Sequence, residues 1–230
     1  MRRVTPVRRI VTLLVGLGVA VGAVATISTQ AGASNAKANF FPDTPAAVQF
    51  HDQMRKLWED HITWTRLTIV SAVGGTNGEA LADTAPTLAR LQQNQDDIGA
   101  AIVPYFGQAA GDQLAALLHE HISGAVTLVL AAKAGDEAGV TAAKTAWYAN
   151  GQQIADFLAA ANPRFWPRET MREAMTTHLD QTLQEAVDRL QGNHAAEIED
   201  YEHAHLHILE MADLLSSGII RKFRDQFDEQ

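Results

Sequence analysis

Apolar residues return at intervals of three and four along most of the chain, which lays a single apolar stripe on a helix. The pattern predicts helices near 45–73, 84–105, 109–133, 136–161, 168–191 and 194–217. Between them stand Gly74-Gly75-Thr76-Asn77-Gly78, Pro104 to Gly107, Gly135-Asp136, Asn162-Pro163 with Pro167, and Gly192-Asn193, all residues that end helices. Thr44 before Pro45 has the form of an N-cap with proline in the first turn. No stretch alternates apolar and polar positions between turn residues, so no sheet is expected. Short connections favour antiparallel neighbours, and the reading is an all-α, up-and-down six-helix bundle over 45–220, with 221–230 as a polar tail.

The helices read as three copies of one hairpin. The first helix of each pair carries a histidine followed by Ile or Leu: His61-Ile62, His121-Ile122 and His178-Leu179. The second helices align more loosely, as Asn94-Gln95-Asp96-Asp97-Ile98, Asn150-Gly151-Gln152-Gln153-Ile154 and Ala204-His205-Leu206-His207-Ile208. Two related hairpins plus an unrelated third is the alternative.

His61, His121 and His178 each fall on the apolar stripe of their helix, and His207 shares the face marked by Ala204, Ile208 and Met211. Counted from the connecting turns, these side chains occupy one layer of the interior. Imidazoles buried together need donors and acceptors and repel one another when protonated. A metal ion satisfies several lone pairs at once. The expected ligands are His61, His121 and His178 with Asp97 and His207, supported by Asn94, Asn150, Gln153 and Arg66. Arg66 is expected either to be buried and paired with Asp97 or Asp213, or to snorkel at the surface. Zinc, iron, copper and manganese all suit such donors. A metal-free structural layer and an organic ligand stay open beside the metal. No Glu-x-x-His pair of the di-iron type occurs, and there is no phosphate-binding loop or nucleophile elbow. No reaction is therefore assigned.

Charge and composition narrow the partners. The 230 residues carry a net charge of −9 and no cysteine, which excludes disulfides and thiolate clusters. A negative field repels nucleic acid and anionic membrane surfaces, and leaves cations or a protein partner as guests. The first residues have the order of a secretory signal: Arg2, Arg3, Arg8 and Arg9, an uncharged run from Ile10 to Ile27, then small residues to Ala31-Gly32-Ala33. Cleavage after Ala33, with Ala38 as second choice, would leave an extended linker over 34–44. It would also take the charge from −9 to −13 and place the protein outside the cytoplasm, off the membrane. An uncleaved anchor is the alternative.

The runs Leu57-Trp58-Glu59-Asp60-His61-Ile62-Thr63-Trp64-Thr65-Arg66, Pro104-Tyr105-Phe106-Gly107, Ala131-Ala132-Lys133-Ala134-Gly135-Asp136, Trp147-Tyr148-Ala149-Asn150 and Met211-Ala212-Asp213 together resemble a family of bacterial helical proteins of no established function. The resemblance spans about residues 55–220. It implies an all-helical fold with His61, Asn94, Asp97, His121, Asn150 and His178 at pattern positions, and no activity. Two motifs depart from the family: Phe106 stands where it has tyrosine, and Gly151-Gln152 where it has Ala-Asp.

Overall fold

The computed structural model describes residues 43–75 and 78–228, all of whose regular structure is helical. The expected signal sequence and most of the expected linker lie outside the described residues. Six long helices follow the breakers: α1 (Pro45–Val73), α2 (Thr84–Phe106), α3 (Gln108–Ala134), α4 (Glu137–Ala161), α5 (Arg168–Gln191) and α6 (His194–Lys222). A short α7 (Arg224–Asp228) comes after them.

Local chemistry sets the ends. Thr44 accepts the Ala47 amide at 3.2 Å and Pro45 opens α1; Asp136 does the same for Gly139 at 2.9 Å ahead of α4. Gly135 and Gly192 sit in the left-handed region at φ 78° and 76°, where glycine closes α3 and α5 without strain. Pro104 is tolerated inside the last turn of α2, which runs on to Phe106.

Each long helix packs on the next, and α1 also packs on α6, so the succession closes on itself. α1 further touches α3 and α5, the helices that carry the other two inward histidines. The core joins Trp58 and Ile62 of α1, Ile98 of α2, Leu118 of α3, Trp147 and Ile154 of α4, Met175 and Leu179 of α5, and Ile208 and Met211 of α6. Among the described residues α3 is the one helix long and apolar enough to cross a membrane by length and composition, and part of that apolar surface is buried against α2 and α4. The loop between α4 and α5 is pinned to α6. Asn162 donates to the Gly218 carbonyl at 2.9 Å and the Trp166 indole to that of Leu214 at 3.2 Å, with Gly218 leaving the indole its room.

The polar tail expected at 221–230 needs correction. α6 continues to Lys222, and Phe227 of α7 is buried, its ring 5.5 Å from Phe50 and 5.4 Å from Tyr105. Phe223 and Phe227, four apart among charges, form an apolar edge too short for the periodicity to reveal.

Candidate metal centre

His61, His121 and His178 come together in the interior. Each is at most 3% exposed, and the ring of His178 lies 5.7 Å from that of His61 and 6.0 Å from that of His121. Trp58 packs on His61 and Trp147 stacks on His121, with centroids at 5.6 and 5.3 Å. Burial, and then the neighbouring imidazoles, disfavour the protonated form. His61 is pushed down to about 3 by burial and by His121, against a nearby Gln95 amide. His121 is pushed down to about 4 by burial, with Asn150 opposing. His178 falls well below 6.5 by burial and then by His61, His121 and His207. The layer therefore consists of neutral imidazoles with lone pairs to offer.

One relation recurs around the layer. The carbonyl four residues before each histidine already closes a helical turn, and it accepts a second bond from the following helix. Asn94 Nδ2 reaches the Leu57 carbonyl at 3.0 Å, Asn150 Nδ2 that of Leu117 at 3.1 Å, and His207 Nε2 that of Ala174 at 2.8 Å. In the third case Ala204 stands where the first two have asparagine, and His207 reaches the carbonyl from one turn further along.

Asn150 does more. With its NH2 committed to Leu117, its Oδ1 faces His121 Nδ1 at 3.1 Å and must accept a proton from it. That fixes the tautomer and leaves His121 Nε2 as the nitrogen with a free lone pair, the arrangement by which an amide orients a metal-binding imidazole. Among the described residues His61 Nδ1 and His178 Nδ1 are buried with no partner, and so is Gln95 Oε1. Gln95 is fully buried beside Asn94, to whose Oδ1 it donates at 3.3 Å, a position that reading by charge and imidazole alone passed over.

Other expected members lie elsewhere. The buried face of α2 runs through Leu91, Asn94, Gln95, Ile98 and Ile102; at 100° per residue this turns Asp97 about 110° away. Its side chain is 41% exposed, 3.8 Å from Arg90. Gln153 is exposed for the same reason, since α4 buries Trp147, Asn150, Gly151 and Ile154. His207 borders the layer, held to the Ala174 carbonyl. Among the described residues no three His, Asp or Glu side chains stand at ligand distance from one point.

Arg66 serves a second polar cluster. It meets Glu185 at 3.1 Å and Glu197 at 2.9 Å, rather than Asp97 or Asp213. Asp213 instead holds Arg55 at 2.5 Å and His51 at 3.0 Å. Glu185 and Glu197 are at most 1% exposed, and Arg189 and His194 also contact Glu197, at 3.2 and 3.1 Å. Burial pushes Glu185 up to about 7 although Arg66 opposes it. Nearby, burial and a hydrogen bond with Asp188 push Asp200 up to about 6. Asp188 itself is held low, against burial, by the Asn193 and Gln184 amides.

Comparisons of this chain with family models, with curated proteins and with solved structures give no match.

Proposed function

We propose that this protein binds one transition-metal ion between His61, His121 and His178. The observation that carries the reading is the trio itself: three neutral imidazoles from three helices, two of them with an unpartnered buried Nδ1 and the third oriented by Asn150. Rings that share one ion at about 2.0–2.1 Å stand roughly 5 Å apart, so the present 5.7 and 6.0 Å must close by about 1 Å when an ion binds. With Asp97 outside, the site has no carboxylate, and its charge equals that of the ion. A monovalent ion such as copper(I) is then accommodated more readily than a divalent one. A divalent ion would bring a hydroxide or another anion to its fourth position.

The wider setting belongs to the same proposal. The protein is an up-and-down bundle of three related hairpins, exported by its N-terminal signal and related to the bacterial family whose motifs it carries. A metal-free interaction module with a structural histidine layer is the second reading, favoured by the bonds from Asn94, Asn150 and His207 to the carbonyls, which hold the layer together without an ion. Elemental analysis of untagged protein, with melting curves in chelator and with copper(I), zinc, iron(II) or manganese restored, separates the two. One equivalent of metal that raises the melting temperature and is lost in His61→Ala and His121→Ala supports the centre. A melting temperature unmoved by chelator and by every ion overturns it.

A further inference from the structure

One helical turn beyond the histidine layer the helices leave a small, partly open hollow between them. The cavity, about 40 Å³, is walled by Thr65 and Ile69 of α1, Ile122 and Val129 of α3, and Thr182 and Ala186 of α5, with Leu91 and Trp147 at its sides. Protein interiors close such gaps, because a void removes the contacts of every atom that lines it. The hollow here has a definite origin. The residues four after each inward histidine are Thr65, Ala125 and Thr182, so all three central helices place a small side chain at the same height. A leucine at any of them would fill the space.

The wall is apolar in spite of its threonines. Thr65 and Thr68 turn their hydroxyls onto the carbonyls of His61 and Trp64, at 2.7 and 2.8 Å, and so offer methyl groups to the cavity. Thr182, the counterpart of Thr65, makes no such bond. Its hydroxyl is buried without a partner, as is the indole N–H of Trp147. Trp147 belongs to both regions, since it walls the cavity and stacks on His121.

We infer that this cavity is a binding site for one small apolar molecule of dioxygen size, held against the methyls of α1, α3 and α5 directly beside the imidazole layer. Almost no polar surface faces the space, the Thr182 hydroxyl and the Trp147 N–H being turned away from it, so a water there would forgo most of its hydrogen bonds, whereas dioxygen or xenon forgoes none. The space exceeds the roughly 10–15 Å³ that a single water requires and falls well short of the roughly 150 Å³ of a cavity that admits benzene. The inference does not depend on the metal reading, because the cavity is formed by the protein alone.

Dissolved dioxygen is paramagnetic and reports its own location. In methyl NMR of the intact protein under oxygen against argon, the methyls of Ile69, Ile122 and Val129 should relax several-fold faster than those of Ile98 and Ile154, which are fully buried away from the cavity. Xenon under pressure should shift the same three residues. Ala125→Leu, or Ala186→Val if the first variant folds poorly, should abolish both effects. Cavity methyls that respond no more than Ile98 and Ile154 in the wild-type protein overturn the inference, whatever the metal content of the sample.

Discussion

His61 and His178 face each other with ring centroids 5.7 Å apart, and the Nδ1 of neither has a partner. An unbonded buried polar atom costs about 1–3 kcal/mol, and no carboxylate stands between the rings to offset it. A leucine at either position would remove that cost. In metal-free protein His178→Leu is therefore expected to be neutral or to stabilise by about 1 kcal/mol in urea unfolding. The same variant should lose any rise in melting temperature on adding metal. Marked destabilisation of the metal-free protein would mean that the layer is held by contacts within the protein.

Asn150 carries two bonds in the interior, to His121 and to Leu117, and its loss strands both partners. Asn150→Ala should cost about 2–3 kcal/mol, whereas Asp97→Asn on the outer face of α2 should stay within about 0.5 kcal/mol. Equal costs in denaturant melts would contradict the placement of the two side chains.

Stability should peak near neutrality. The histidines, with folded values of about 3 and about 4 for His61 and His121 and well below 6.5 for His178, bind protons more readily when unfolded. Their contribution is complete above about pH 6.5 and is lost as pH falls towards the folded values, by up to ~1.4 kcal/mol per pH unit for each group. Glu185 and Asp200 act in the opposite sense. Raised to about 7 and about 6, they favour the fold below their unfolded values of 4.5 and 3.8, and the benefit fades as pH rises through the folded ones. Below pH 6 three destabilising protons outweigh two stabilising ones. A melting temperature that climbs steadily from pH 7 down to pH 4.5 would refute this balance.

Arg66 makes a sharper test of the second cluster. Among the described residues its removal leaves Glu185 with no cationic partner and Glu197 with only Arg189 and His194. Arg66→Met should cost about 3–5 kcal/mol at pH 8 and less at pH 6, where Glu185 holds a proton. Adding Glu185→Gln should recover part of that loss. Additive penalties in the double variant would exclude the pairing.

The sequence revealed the helices and the three inward histidines because both depend on the 3.6-residue period. The positions of Asn94 and Asn150 followed from aligning the second helices, although their bonds to the Leu57 and Leu117 carbonyls were not foreseen. Asp97 and Gln153 were chosen for their chemistry, although the stripe through Asn94 and Ile98, or Asn150 and Ile154, already turns them outward. Glu185 was legible in principle, since it follows Leu179, Thr182 and Leu183 along the buried side of α5. Its pairing with Arg66 was not, because which carboxylate meets an arginine depends on how two distant helices are set against each other. The cavity had a sequence signal in Thr65, Ala125 and Thr182, visible only once the positions four after each inward histidine are compared.

Phe227 ties the last turn of the chain to Phe50 at the start of α1, and Arg224 reaches Asp43 at 2.7 Å. The two ends of the described chain thus share one pole, and the covalent order of the helices can be changed without moving any of them. A protein whose residues 43 and 228 are joined by a short glycine-serine bridge, and whose chain is opened at Gly192-Asn193, should keep every helix and every histidine in place, which its far-ultraviolet circular dichroism would check. It moves the free termini to the turn between α5 and α6, where Gly192 leaves open space around it. Chain connectivity here is a matter of folding order rather than of final structure, and the rearranged molecule offers a way to attach a surface or a reporter without disturbing the Phe227 clasp.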